Sequence, residues 1–221
     1  MADLSDSLRD AVFYGILDTG YVARENMYEK CRQLIMSGAK IVQLRAKKES
    51  EETRRELAFE MLPLFKKKNA PYFIINDSPE LAAEICGIIP NAGLHVGQDD
   101  MPPHEARKLI GKKRVLGLST HSPEQAKNAD SLSDILDYFA VGPVYATQTK
   151  PGRIPVGLQL VEYAAKMNFK LPWFAIGGIN MKTAQDVRKA GAQRIVAVSD
   201  VLLPKDTCAA VGELTKKFLG A

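Results

Sequence analysis

The chain has 221 residues, 46% hydrophobic and 25% charged, with a formal charge of +4 at neutral pH, ordinary values for a soluble globular protein of one domain or at most two small ones. The mild excess of Lys and Arg suits phosphorylated metabolites as well as nucleic acid, so it selects neither. Cys31, Cys86 and Cys208 lie far apart with no Cys-x-x-Cys or Cys/His spacing, which argues against a zinc site or a disulfide framework and for reduced thiols.

The polar, acidic start MADLSDSLRD is no secretory leader, and no apolar stretch approaches the ~18 residues of a membrane span. A cytoplasmic protein with no membrane partner is expected. Short apolar runs of strand length then alternate with longer amphipathic stretches. The first is VFYGIL, Val12 to Leu17; the segment after it lacks the G-x-G-x-x-G of a dinucleotide loop, and no site residue is assigned to it. The second is KIVQLR, Lys40 to Arg45. SEETRRELAFEMLPLFKKKN follows and reads as a helix, capped by Ser50 with Thr53 at the third position and acidic residues in its first turn. Leu57, Met61, Leu64 and Phe65 recur at helical spacing, and Lys66, Lys67 and Lys68 are a solvated helix end, not a nucleic-acid patch.

PYFIIN (Pro71 to Asn76), GLHVG (Gly93 to Gly97) and RVLGLS (Arg114 to Ser119) are the next three runs. MPPHEARKLIG and SPEQAKNA place Pro102, Pro103 and Pro123 near helix starts, where proline is tolerated. YFAVG (Tyr138 to Gly142), WFAIGG (Trp173 to Gly178) and RIVAVS (Arg194 to Ser199) complete the series, and NMKTAQDVRKAGA is a helix stopped by Gly191. The runs are rich in Val, Ile and Phe with little polar alternation, as in parallel strands buried on both faces. Eight strand-then-helix units predict a (β/α)8 TIM barrel, a single compact α/β domain over residues 1–221 with its core at about 12–203. A doubly wound sheet is the alternative; it would more often show fewer strands and a glycine-rich nucleotide loop.

In such a barrel the chemistry sits where strands end. Gln43 and Arg45 alternate with Val42 and Leu44, so both face the mouth, with Lys47 just beyond; Arg suits bidentate phosphate contact and Lys a point charge. The third run ends in Asn76 and Asp77, and Ser78 before Pro79 is the better helix cap, which leaves Asp77 for other work. Gln98, Asp99 and Asp100 follow the fourth run, and a carboxylate there paired with Asp77 suits Mg2+ bridging to a diphosphate. Ser119 stands at the mouth after the fifth run. His121 reads as a capping or packed residue, His95 lies within a strand, and His104 opens a helix; none has metal-ligand spacing. After the seventh and eighth runs, Gly177, Gly178 and Ser199 resemble the backbone phosphate cradle common in this fold.

The motifs QLRAKK, IINDS, GLHVGQDD, LGLSTHS, VGPVYATQTKPG, AIGGI and VSDVL, in this order and on these strand ends, resemble the thiamine phosphate synthase family from about Phe13 to Leu202. The resemblance implies a transferase that joins a pyrimidine diphosphate to a thiazole phosphate, giving thiamine phosphate and pyrophosphate with Mg2+. It implies a dissociative course, with pyrophosphate leaving a pyrimidine-methyl cation that the thiazole nitrogen captures. Carried over by motif, Gln43, Arg45, Lys47 and Asn76 would hold the pyrimidine diphosphate, and Asp77 and Asp100 the metal. Ser119 and Lys150 would meet the same substrate, with Lys150, Ser119 and Arg45 the catalytic set. Thr147, Thr149, Gly178, Val198 and Ser199 would hold the thiazole phosphate. The partners implied are these small molecules; the sequence is compatible with a homo-oligomer.

One departure is Ser78, where the family often has Arg, which removes one charge near the metal. A related thiazole tautomerase would lack the metal and diphosphate residues and carry a His in the loop after strand six, where this chain has Gly-Pro-Val-Tyr. Other phosphate-handling barrels would need a dedicated acid and base at the mouth. A carrier or sensor would keep the same pocket, and only an assay separates it from an enzyme.

Overall fold

All eight apolar runs form parallel strands in the computed structural model, which describes residues 8–148, 152 and 154–220. They are β1 (Phe13–Asp18), β2 (Ile41–Arg45), β3 (Tyr72–Asn76), β4 (Ala92–Val96), β5 (Val115–Thr120), β6 (Tyr138–Val141), β7 (Trp173–Ile176) and β8 (Ile195–Ala197). Each pairs with the next and β8 pairs back to β1, closing the barrel. Closure leaves no sheet edge, so every strand is covered by a neighbour on both sides.

Around the strands lie α1 (Met27–Met36), α2 (Glu51–Phe65), α3 (Pro79–Ile88), α4 (Pro103–Ile110), α5 (Pro123–Ser131), α6 (Gly157–Lys166) and α7 (Ala184–Lys189). The short α8 (Ser199–Leu202) follows β8, and α9 (Thr207–Leu219) packs against α1 and α7 through Val211, Leu214 and Phe218. Local chemistry sets the helix starts. Ser50 accepts a hydrogen bond from the Thr53 N–H at 3.1 Å, and Ser122 does the same for Gln125 at 3.1 Å, each relieving an orphan donor of a first turn. Pro103 and Pro123 occupy first-turn positions that need no N–H. After α7 the chain stops at Gly191, φ +101°.

Ser78 takes the cap position expected of it, with its carbonyl accepting from the Ala82 N–H at 2.9 Å. It stands before α3, but its side chain makes no capping bond. The backbone accounts for this: after Asp77 at φ +53°, Ser78 takes φ −129° and ψ 85°, away from the extended geometry (ψ about 160°) in which Ser50 and Ser122 cap their helices. The core between barrel and helices is a continuous apolar cluster, with Phe65 stacked on Phe73 at 4.2 Å. Inside the barrel the filling is aromatic: Tyr14, Tyr138 and Phe174 meet edge to face at centroid distances of 5.4–5.7 Å. Gly117 makes room for this cluster, because a Cβ there would lie 2.1 Å from the Tyr138 ring.

Candidate functional site

A cleft of about 990 Å³, part of it open to solvent, occupies the C-terminal end of the barrel. Of the residues singled out from the sequence, it brings together Gln43, Arg45, Asn76, Ser119, Thr147, Gly178, Val198 and Ser199 in its lining. Lys47, Asp77 and Asp100 stand on the rim, outside that lining. Thr149 and Lys150 lie outside the described residues.

The register of β1 and β2 places Asp18 beside Arg45. Arg45 Nη1 donates to Asp18 Oδ2 at 2.7 Å, with the side chains 11% and 2% exposed, so this ion pair is largely desolvated. The second carboxylate oxygen of Asp18 accepts from the Gly20 N–H at 2.9 Å, which fixes the turn after β1 and holds the carboxylate against the guanidinium. Sequence reasoning assigned nothing to the first strand. The signal was available in its alternation: Tyr14, Ile16 and Asp18 lie two apart, as Gln43 and Arg45 do, and share the inward face.

Beneath the mouth a chain of hydrogen-bonded side chains crosses the barrel. Gln43 Nε2 donates to the Tyr14 hydroxyl at 2.9 Å, and the Tyr14 and Tyr138 hydroxyls meet at 2.8 Å. Tyr138 reaches His95 Nδ1 at 2.9 Å, and His95 Nε2 reaches Ser119 Oγ at 2.9 Å. Burial pushes the Tyr14 phenol up, opposed by its bond to Tyr138, and pushes Tyr138 well above the usual range. Both therefore stay protonated and neutral. His95, expected only as a strand residue, thus lines the cleft and holds a site hydroxyl.

On the rim, Lys47 Nζ donates to Asp77 Oδ2 at 3.2 Å, so Asp77 is not free of partners. Asp100 accepts from the Gly97 N–H at 2.6 Å. Its carboxyl is pushed above the ordinary range first by burial and also by the adjacent Asp77 carboxyl, while the Gly97 bond and Lys47 act the other way. Two carboxylates thus converge from the ends of β3 and β4. A like-charged oxygen pair is a donor set that a hard divalent cation with few protein ligands would relieve. Among the described residues, no group of three or more His, Cys, Asp or Glu could hold a metal.

The opposite wall is backbone. Val144 and Tyr145 donate to the carbonyls of Ile176 and Gly177 at 2.8 and 3.0 Å, so the loop after β6 begins by extending the ladder with β7. His121 Nδ1 donates to the Gly142 carbonyl and ties the loop after β5 to the same place. Gly178 sits at φ +63°, and a Cβ there would meet Tyr145 Cβ at 2.7 Å and Ala146 O at 2.8 Å. Only glycine fits that crowded left-handed position. Asn180 Oδ1 accepts from the Lys182 N–H at 2.9 Å, and Asp200 Oδ2 from the Met181 N–H at 3.1 Å, which fixes the segment between β7 and α7.

Residues 13–201 match the family described as thiamine monophosphate synthase. A Thermus thermophilus protein named thiamine-phosphate synthase is 39% identical over 196 residues, 89% of this chain and 91% of that one. A protein of the same name from Pelotomaculum thermopropionicum is 36% identical over 208 residues, covering 94% of this chain and 92% of its own. Among solved structures, thiamine phosphate pyrophosphorylase from Pyrococcus furiosus superimposes with a TM-score of 0.74 at 26% identity, over 99% of this chain and 98% of that one.

Proposed function

We propose, from the premise that this chain belongs to the thiamine monophosphate synthase family, that its cleft aligns 4-amino-5-hydroxymethyl-2-methylpyrimidine diphosphate and thiazole phosphate for transfer of the pyrimidine-methyl group. The products are thiamine phosphate and pyrophosphate. One observation carries the assignment of roles: charged side chains line one side of the mouth and a glycine-bounded backbone wall the other. Arg45, locked by Asp18, offers N–H groups of fixed direction to the diphosphate, with Lys47 and Asn76 beside it. Gln43 and Ser119 face the pyrimidine ring, and Thr147, Gly178, Val198 and Ser199 the thiazole phosphate. Thr149 and Lys150 belong to the same loop as Thr147, and we assign them the thiazole phosphate and the departing pyrophosphate respectively.

Asp77 and Asp100 fit Mg2+ by their convergence and their like charge. When bound there, the ion neutralises charge building on the leaving diphosphate. The protein's own share is position and electrostatics. It holds the thiazole nitrogen in line with the methylene carbon, keeps Arg45 aimed at the leaving oxygens, and buries the reacting ring away from water. No activated nucleophile or general base is required, because the bond to pyrophosphate breaks before the new C–N bond forms. A cytoplasmic location accompanies this reading. No described helix is long and apolar enough to cross a membrane.

Incubation with both substrates and Mg2+ tests the proposal. Equal amounts of thiamine phosphate and pyrophosphate are expected. Binding of either substrate without release of pyrophosphate would establish a carrier instead.

A further inference from the structure

The chain Gln43–Tyr14–Tyr138–His95–Ser119 runs through five strands of the barrel and has a direction. Gln43 presents its amide nitrogen, which only donates, so the Tyr14 oxygen accepts. Were Tyr138 also to donate to Tyr14, the buried Tyr14 proton would have no acceptor among the described contacts. A buried donor left unmade costs about 1–3 kcal/mol. The Tyr14 proton therefore goes to Tyr138, and the Tyr138 proton to His95 Nδ1. His95 is then the tautomer protonated at Nε2 and donates to Ser119 Oγ. Gln43 and Ser119 both line the cleft, and the chain leaves the Gln43 carbonyl unspent as an acceptor and the Ser119 proton unspent as a donor.

We propose that Tyr14, Tyr138 and His95 are positioning residues whose one-way hydrogen-bond chain makes the cleft selective for an aminopyrimidine over its oxo counterpart. An aminopyrimidine offers an amine donor and ring-nitrogen acceptors, the complement of the Gln43 acceptor and the Ser119 donor. Replacing the amine by an oxo group sets an acceptor against Gln43 Oε1 and moves a proton onto a ring nitrogen. Reversing the chain to suit the oxo compound would require a flipped Gln43 amide and the other His95 tautomer together. Burial of both phenols well away from ionisation keeps each a hydroxyl that donates one hydrogen bond along the chain. The aminopyrimidine itself comes from the function proposed above, on which this inference rests.

The test compares binding of the 4-amino and 4-oxo pyrimidine diphosphates by calorimetry, alongside turnover, in the wild type, H95Q, H95N and Y138F. Gln at 95 keeps a donor near the Nε2 position and Asn does not. H95Q is expected to retain most of the amino preference, and H95N and Y138F to lose at least tenfold of it, with KM for thiazole phosphate unchanged. Loss of preference in H95Q and H95N alike, or its survival in H95N, would overturn the proposal. On the wild type, nitrogen-15 correlation spectra should show His95 protonated at Nε2; protonation at Nδ1 would also overturn it, whatever the variants do. Amino-selective binding that H95N abolishes, in a protein that makes no thiamine phosphate, would support the chain and refute the catalytic reading. Turnover without amino preference would do the reverse.

Discussion

Substituting Asp18 by Ala leaves the Arg45 guanidinium in a site built for a pair. Because the side chains are 2% and 11% exposed, water cannot replace the lost carboxylate, and breaking a buried pair from one side costs about 3–5 kcal/mol. For a domain of this size each kcal/mol lowers Tm by about 2–4 °C, so the expected fall is roughly 6–20 °C. The turn after β1 loosens as well, since Asp18 Oδ1 holds the Gly20 N–H at 2.9 Å. Asp18→Asn keeps an acceptor for Gly20 and should fall between Asp18→Ala and the wild type. Scanning calorimetry reads the stability. Steady-state kinetics with varied pyrimidine diphosphate should show KM raised at least tenfold, because Arg45 no longer has a fixed direction. The double variant Asp18→Ala/Arg45→Ala should melt higher than Asp18→Ala alone, as it removes the uncompensated charge. An Asp18→Ala protein that melts within a degree or two of the wild type and keeps its KM would refute the reasoning.

Gly178→Ala should raise KM for thiazole phosphate and leave that for the pyrimidine diphosphate nearly unchanged, since its Cβ would press on Tyr145 and Ala146; the positive φ adds about 1–2 kcal/mol of instability, and unchanged kinetics would remove Gly178 from the phosphate wall. Asp77→Asn or Asp100→Asn should raise the Mg2+ concentration for half-maximal rate at least tenfold, and a rate curve identical to the wild type would clear that residue of a metal role. In a thiol titration of the native protein at pH 8, half-buried Cys208 should react first. Burial raises the Cys86 thiol to about 11 and pushes the Cys31 thiol further still, so three equally fast thiols would contradict the packing.

The barrel was legible in the sequence because its strands are buried on both faces, which suppresses polar alternation and leaves runs such as KIVQLR standing out. The polar residues at the strand ends were legible for the same reason, since a polar group breaking an apolar run has few places to go but the mouth. Ser50 was legible because capping is local chemistry. Ser78 takes the cap position expected of it, but its side chain makes no capping bond, because the sharp turn at Asp77 belongs to the β3 exit and no local pattern announces a positive φ. Tyr14, Tyr138 and His95 were missed because an aromatic inside a strand reads as packing. Their function lies in pairings 24 to 124 residues apart in the chain, which depend on barrel register and cannot be read from local spacing.

That division also explains how the site is layered. Among the described residues, the layer below the mouth is built of the Gln43 amide, two un-ionised phenols and an imidazole, and Asp18–Arg45 is the ion pair that reaches towards it. An unpaired charge deeper in the barrel would be too costly to keep ionised. The groups assigned to charge handling stand at the rim, where the Lys47 and Asp77 side chains are 53% and 19% exposed and where an incoming diphosphate and cation bring compensating charge. Neutral ring recognition falls to the buried layer, where an unmade hydrogen bond is penalised most heavily. A substrate analogue with a wrong ring edge should therefore be rejected more sharply than one with an altered diphosphate. Comparing binding of the 4-oxo compound with that of the monophosphate at low and high salt separates the two layers: salt should weaken diphosphate recognition and leave ring selectivity intact. Equal salt sensitivity in both would mean that the layers are not distinct.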